Sequence, residues 1–289
     1  MTDPYVAHRD LLFTVAYEML GSAADAEDVV QETWVRWREV DRDRVRDPRA
    51  YLVRITTRLA LNQLRTLSRR RESYVGPWLP EPLATTPDVA EDVELADSVS
   101  FAMLVVLDRL QPVERAVFVL REVFGFGYPE IAEAVGRSQE AVRQVASRAR
   151  RRLQEERPPP PRDDGRTAEV MRRFRGVARG EAELQDLLDV ISPDVVLVTD
   201  GGGVAKAALR PIHGVEKVMR FLAATAAQLP DLTGDLALVN GHPAVVLQRP
   251  GGIDAVVTAR VEDGLVTEIY LVRNPAKLAR MSAPVPLRR

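Results

Sequence analysis

Tyr128-Pro129-Glu130-Ile131-Ala132-Glu133-Ala134-Val135-Gly136, followed by Arg137-Ser138, is the stretch that decides the fold. It reads as a short helix, a glycine-containing turn and a second helix capped by Ser138, whose hydroxyl can accept from an orphan amide of the first turn. At helical periodicity the second helix puts Ala141, Val142, Val145, Ala149 and Leu153 on one face. Gln139, Glu140, Arg143, Ser147, Arg150 and Arg151 lie opposite, with Gln144 flanking them. A helix-turn-helix lays its second helix in the major groove of DNA, N-terminal residues toward the base edges. Arg and Gln suit bidentate contacts with bases, and the later arginines suit phosphates. The rival reading is an ordinary amphipathic helix with a solvated arginine face. The tight turn, the small inner residues and the closing arginine run favour DNA.

Charge is segregated around this stretch. Residues 137–152 carry six arginines against one glutamate, and residues 48–71 carry seven arginines and no acid. Between them, residues 72–108 hold eight acids and no base. Pro77, Pro80, Pro82 and Pro87 punctuate residues 76–97, which read as an acidic linker. The overall formal charge of -2 is therefore an average over segments of opposite sign. Upstream, Ala26-Glu27-Asp28-Val29-Val30-Gln31-Glu32-Thr33-Trp34-Val35-Arg36-Trp37 reads as an amphipathic helix with an acidic first half, suited to a protein partner. Trp34 and Trp37, at helical spacing, are expected in the core. Asp47-Pro48 then starts a long basic helix, Asp as cap and Pro in the first turn. Its apolar face holds Leu52, Ile55, Leu59, Ala60 and Leu67, and Arg54, Arg58, Leu61 and Arg65 line the other side with Asn62 beside them.

These motifs resemble the extracytoplasmic-function sigma factors of bacterial RNA polymerase. Asp25 through Trp34, continued by Pro48-Arg49-Ala50-Tyr51-Leu52 to Asn62 and Arg65, looks like region 2. Leu110-Gln111-Pro112-Val113-Glu114-Arg115 and the helix-turn-helix look like region 4. The resemblance implies that Asp28, Gln31, Glu32 and Trp34 dock on the polymerase β′ clamp, with the β flap as a further partner. It implies that Tyr51, Arg54, Arg58, Asn62 and Arg65 read the −10 element, where a base leaves the stack and single-stranded DNA is held. It assigns the −35 element to Gln139, Glu140, Arg143, Gln144 and Ser147, with Arg150 and Arg151 on the backbone. A stand-alone helix-turn-helix repressor is the competing reading, and it leaves the acidic and basic helices before residue 72 unexplained.

Such factors end soon after region 4, yet here a proline run at residues 158–161 is followed by a change of pattern. Helical stretches at 167–178 and 181–191 precede strands at Val195–Thr199, Leu236–Asn240, Ala244–Gln248, Ala255–Glu262 and Leu265–Val272, with a helix at Gly214–Gln228. The order resembles a SnoaL-like cone, an α+β fold with a curved antiparallel sheet. The expected chain is multidomain: an all-α region 2 domain (1–75), the linker (76–97), an all-α region 4 domain (98–156), a proline-rich spacer (157–166) and the cone (167–280).

Three motifs match the sigma subgroup with such a tail (the SigJ-type group): Trp78-Leu79-Pro80-Glu81-Pro82-Leu83 in the linker, Asp200-Gly201-Gly202-Gly203 after the first tail strand, and Asn274-Pro275-Ala276-Lys277-Leu278 at the end of the cone. Ala276 stands where that group usually has Asp. The apolar, proline-stiffened segment centred on Trp78 is expected to be an intramolecular ligand for the tail, which thereby tunes polymerase and promoter binding. The alternative is a tail that binds a small molecule or acts as a cyclase or isomerase, for which Asp200, His213 and Asp254 are the available acid–base groups.

The 289-residue composition limits other chemistry. With no cysteine and three scattered histidines there is no disulfide framework, thiol nucleophile or metal cluster to expect, and no cofactor motif stands out. The longest apolar run, Phe101 to Leu107, is far below the ~20 residues of a membrane span. With Asp3 and Asp10 near the start, the N-terminus does not read as a signal peptide, so a cytoplasmic, non-enzymatic protein is expected.

Overall fold

In the computed structural model, residues 3–155, 164–229 and 231–289 are described. The helices are α1 (Pro4–Leu20), α2 (Ala23–Arg38), α3 (Pro48–Glu72), α4 (Pro87–Glu91), α5 (Val93–Val99), α6 (Phe101–Leu107), α7 (Pro112–Phe118), α8 (Tyr128–Val135), α9 (Gln139–Glu155), α10 (Asp164–Ala178), α11 (Val215–Gln228) and α12 (Pro275–Leu278). The strands are β1 (Ile191–Asp200), β2 (Ile212–His213), β3 (Thr233–Val239), β4 (His242–Arg249), β5 (Gly252–Glu262) and β6 (Leu265–Val272). The chain forms two compact units. One comprises Met1–Glu72, Met103–Pro158 and Pro286–Arg289; the other comprises Ser73–Ala102 and Pro159–Val285.

Local caps set the helices of the first unit. Ser22 accepts from the Asp25 amide at 3.2 Å, Asp47 from Ala50 at 3.0 Å and Ser138 from Ala141 at 3.2 Å. Gly136 closes α8 in the left-handed region at φ 68°, where a Cβ would be strained, and this turn sets the start of α9. Trp37 is fully buried and donates its indole N–H to Asp3 at 3.1 Å. Trp34 is half-buried against Tyr5, ring centroids 4.8 Å apart.

The expected apolar face of α3 is too narrow. Val53, Thr56, Thr57, Leu61 and Leu64 are buried alongside Leu52 and Ala60, whereas Ile55 and Leu59 are only partly covered. Leu61, assigned to the exposed side, is buried because α3 is packed on two sides, by α1 and α2 and by α7 and α8. A buried charge network ties the unit together. Arg115, 2% exposed, donates to the Glu18 carbonyl at 2.8 Å and to Asp108 at 3.0 Å. Asp108 also accepts from Arg71, which reaches the Leu20 carbonyl at 3.1 Å. Burial pulls the Arg115 guanidinium down to about 10, opposed by the Asp108 charge.

In the second unit the sheet order is β2-β1-β6-β5-β4-β3. The four strands from β3 to β6 form an antiparallel meander, but β1 and β6 pair in parallel, so the sheet is mixed rather than wholly antiparallel. The antiparallel β1–β2 pair reverses the chain, α11 returns it to β3 in the direction of β2, and the three reversals of the meander then bring β6 parallel to β1. Val170, Met171 and Phe174 of α10 and Val218 of α11 pack onto Leu197, Val245, Val257, Ile269 and Leu271 of the sheet. The expected helix at 181–191 is a 3-10 turn over Leu184–Val190, after which Ile191 is already extended. Pro193, two residues on, would clash with the carbonyl four positions back in a continued helix. Residues 76–97 are less irregular than expected, since α4 and α5 lie within or overlap them, and 98–102 group with the tail. Of the 157–166 spacer, residues 157–163 lie outside the described residues; Asp164 already begins α10. Among the described residues no helix is long and apolar enough to cross a membrane.

Candidate nucleic-acid interface and linker clasp

Helix α9 buries Val142, Val145, Ala146, Ala149 and Leu153, with Ala141 only partly covered. That leaves Gln139, Glu140, Arg143, Gln144, Ser147, Arg150 and Arg151 exposed along the other face. Arg150 pairs with Glu122 at 3.0 Å and reaches the Tyr128 hydroxyl at 3.3 Å. Arg143 lies over the Tyr128 ring, 5.5 Å from its centroid. On α2, Asp28, Gln31 and Glu32 are exposed, Glu32 bonded to Arg36 at 3.0 Å. Val35, 50% exposed, joins them one turn on. The sequence reading passed over it because a single valine at a polar position gives no periodic signal.

The candidate −10 residues are split by their surroundings. Arg58 donates to the Glu133 carbonyl at 2.8 Å and the Ala134 carbonyl at 3.4 Å, capping the C-terminal end of α8, where the helix dipole favours a cation. Arg54 pairs with the Glu133 carboxylate and lies 4.6 Å over the Tyr51 ring. Asn62 and Arg65 are exposed and bonded to each other at 3.3 Å. Region 2 and region 4 candidates thus meet inside one unit.

The three tail-associated motifs converge in the other unit. Asp200 is fully buried. One carboxylate oxygen accepts from the Tyr74 hydroxyl at 2.6 Å and the Gly202 amide at 3.0 Å. The other accepts from the Leu79 amide at 2.9 Å and the Lys277 ammonium at 2.6 Å. Lys277 also donates to the Leu79 carbonyl, so Asp200 and Lys277 together hold both backbone polar groups of that one linker residue. Asn274 donates to the Tyr74 hydroxyl at 2.8 Å. Burial, then the Asp200 carboxylate, push the Tyr74 hydroxyl above its ordinary range, keeping it a donor. Gly202, at φ 62°, allows the approach: a Cβ there would stand 2.3 Å from the Asn274 amide nitrogen. Gly201 is buried in the same turn, and Gly203 faces Val75.

Leu79 and Leu83, each 1% exposed, are the linker's anchors, with Pro80, Glu81 and Pro82 buried between them. Trp78, expected at the centre, is only partly covered and lies 4.2 Å from the Lys277 ammonium as a cation–π lid. The sequence ranked it first by size, whereas the hydrogen bonds fall on the residue after it. Pro275 is exposed and Leu278 buried.

A second grip went unread. Asn240, buried and at φ 54°, accepts from the Leu83 amide at 3.1 Å and donates to the Val99 carbonyl at 2.9 Å. Its backbone amide donates to the Leu83 carbonyl at 2.8 Å, and Thr85 donates to Leu238 at 3.0 Å, so the linker adds to the edge strand β3. His242 meets the Ala96 carbonyl at 3.0 Å. Asn240-Gly241 carried the signal of a hairpin turn, but nothing local shows that the turn clasps a segment 140 residues away.

Asp200, His213 and Asp254 do not form an acid–base site. Both Asp200 oxygens are committed to the linker, His213 is exposed on β2, and Asp254 is held by Arg249 at 2.7 Å and Arg273 at 2.8 Å.

The Sigma-70 region 2 model matches residues 5–70 and the Sigma-70 region 4 model residues 100–153. The ECF RNA polymerase sigma factor SigJ of Mycobacterium tuberculosis (strain ATCC 25618 / H37Rv) is 37% identical over 288 residues, 94% of this chain and 91% of that protein. The probable ECF RNA polymerase sigma factor SigI of the same strain is 32% identical, covering 96% and 94%. The crystal structure of the Mycobacterium tuberculosis extracytoplasmic function sigma factor SigJ superposes with a TM-score of 0.76 at 34% identity, over 96% of this chain and 97% of that one. The region 2 match removes the repressor reading, because it accounts for the helices that reading left unexplained. The chain belongs to the extracytoplasmic-function sigma factors of RNA polymerase, promoter-recognising initiation factors rather than enzymes, with two helical sigma domains followed by an α+β domain.

Proposed function

We propose that this cytoplasmic sigma factor is regulated by its own tail, which clasps the linker between regions 2 and 4. The observation that carries the reading is the buried Asp200 carboxylate, whose four donors include the Leu79 amide of the linker and the Tyr74 hydroxyl two residues before it begins. A linker held at Leu79 and again at Leu83 and Thr85 loses most of its freedom, so the reach between region 2 and region 4 becomes a property of the tail. The boundaries that go with this function are a region 2 domain to about residue 75, a region 4 domain to about 156 and the cone from about 167.

On this reading Asp28, Gln31, Glu32, Trp34 and Val35 form the surface for the β′ clamp, and region 4 meets the β flap. Tyr51, Arg54, Arg58, Asn62 and Arg65 read the −10 element; Gln139, Glu140, Arg143, Gln144 and Ser147 read the −35 element, with Arg151 on phosphate. By their names these elements lie about 25 base pairs apart, or ~85 Å at 3.4 Å per pair. The ion pair of Arg54 with Glu133, on the helix preceding the −35 reader, cannot persist across that distance. On this reading the arrangement is a resting one, in which α8 holds the guanidinium groups of two of the −10 arginines, and opening it frees Arg54 and Arg58 for DNA.

Run-off transcription with core polymerase tests the assignment, comparing the full chain with one ending near residue 157. Equal promoter binding and equal transcript from the two proteins would remove the tail from regulation. Failure of both to direct initiation would remove the promoter-reading roles as well.

A further inference from the structure

A cavity of about 340 Å³ lies inside the cone, between α10, α11, the 3-10 turn and the sheet. Phe174, Leu197, Leu222, Val257 and Leu271 are among its walls, so most of the lining is apolar. Packed interiors leave few voids larger than a water molecule. This one equals the volume of about eleven waters and falls within the range of small-molecule sites.

The polar part of the wall is specific. Arg273 donates from two nitrogens to one Asp254 oxygen, at 3.1 and 2.8 Å, and from the third to the Lys206 carbonyl at 2.8 Å. Arg249 takes the other Asp254 oxygen at 2.7 Å. Asp254 and Arg273 have side chains only 6% and 11% exposed. Arg249 is 45% exposed and stands outside the lining, within which the guanidinium groups of Arg179 and Arg273 outnumber the single Asp254 carboxylate, an excess positive charge at the edge of an apolar space, where an anion is favoured. Arg179, also in the lining, is committed to Asp235 at 2.6 Å and the Gly234 carbonyl at 3.0 Å.

Arg273 is also where cavity and clasp meet. Its backbone amide donates to the Asp200 carbonyl at 2.7 Å, and the next residue, Asn274, holds Tyr74. We propose that the cavity binds a small apolar molecule carrying one anionic group, with Arg273 as charge anchor, and that occupancy is transmitted to the linker through the Arg273–Asn274 corner. The transmission rests on the linker clasp; the binding does not.

The probe is 8-anilino-1-naphthalenesulfonate, titrated into the full-length protein by fluorescence, with N-phenyl-1-naphthylamine as the same body lacking the sulfonate. The sulfonate should bind saturably, once per chain and at least tenfold tighter than the neutral compound. Ala226→Trp, at an exposed position of the cavity lining, should weaken both tenfold or more with an unchanged melting temperature. Arg273→Gln should weaken only the sulfonate. Saturation should change hydrogen exchange at the Leu79 amide at least threefold. Equal affinity for the two compounds, or sulfonate binding indifferent to Ala226→Trp, overturns the site. Binding that leaves Leu79 exchange unchanged overturns the transmission. The clasp fails by a different result, an Asp200→Asn variant with wild-type Leu79 exchange, which leaves sulfonate binding untouched.

Discussion

Replacing Asp200 by Asn should open the linker clasp while the cone stays folded. Each carboxylate oxygen accepts from two donors, Tyr74 and Gly202 on one, Leu79 and Lys277 on the other. Either orientation of an Asn amide therefore sets its NH₂ against two donors, and a flip gives no relief. With the Asp200 side chain fully buried and that of Lys277 11% exposed, the change leaves an uncompensated ammonium. Breaking such a buried pair costs about 3–5 kcal/mol. At 1.4 kcal/mol per tenfold, local opening at Leu79 should rise by roughly two to three and a half powers of ten. Hydrogen exchange resolved at Leu79 and Leu83 reads this directly, with the β4–β5 ladder amides around Val246 and Val256 as the control for global unfolding. Asp200→Asn with Lys277→Met removes the stranded charge and should recover at least half of the free-energy loss. Leu79 exchange within threefold of wild type in the single variant, or a double variant worse than the single one, would refute the reasoning.

The second grip should fail separately: Asn240→Ala strands the Leu83 amide and the Val99 carbonyl and should cost about 2–4 kcal/mol of local stability, read as faster exchange at Leu83. Asp108→Asn leaves the buried Arg115 charge short of its carboxylate and should lower the urea-unfolding stability of the helical unit by about 3 kcal/mol. The clasp should also be alkaline-sensitive. Because Tyr74 titrates above its ordinary value of 10.0 when folded, its contribution is fully present below pH 10 and is lost as pH rises beyond it. Melting curves between pH 8 and 11 should show that slope in the wild type and a shallower one in Tyr74→Phe. Arg143→Ala, at an exposed position on α9, should leave folding unchanged and reduce discrimination among −35 bases by about 1–3 kcal/mol, measured by anisotropy with the holoenzyme.

Much of the helical part was legible because its determinants are local. Asp47 and Ser138 cap where their sequence positions say they should, and the buried stripe of α9 follows from its periodicity. Helix α3 was read less well. Its pattern admits one apolar face, yet Leu61 on the other side is buried, in a helix that also packs against α7 and α8 from residues 112–135. Strand β6 was placed to its ends and β4 to within two residues, whereas β3 and β5 begin three residues before their expected starts; the parallel β1–β6 pairing was missed, since alternation along a strand carries no information about its neighbour's direction.

The sequence by itself determined the identity of the parts: a basic helix, a helix-turn-helix, an acidic linker and an appended α+β domain, each written in short-range spacing and charge. Tertiary structure alone decided what those parts do to one another. It spent Arg54 and Arg58 on α8, moved the weight of the linker from Trp78 to Leu79 and Leu83, and turned an Asn-Gly hairpin into a clamp. The physical reason is that a buried carboxylate or amide must find all its hydrogen-bond partners. Asp200 finds Tyr74 and Leu79, and Asn240 finds Leu83 and Val99, more than a hundred residues away, beyond the reach of any local pattern.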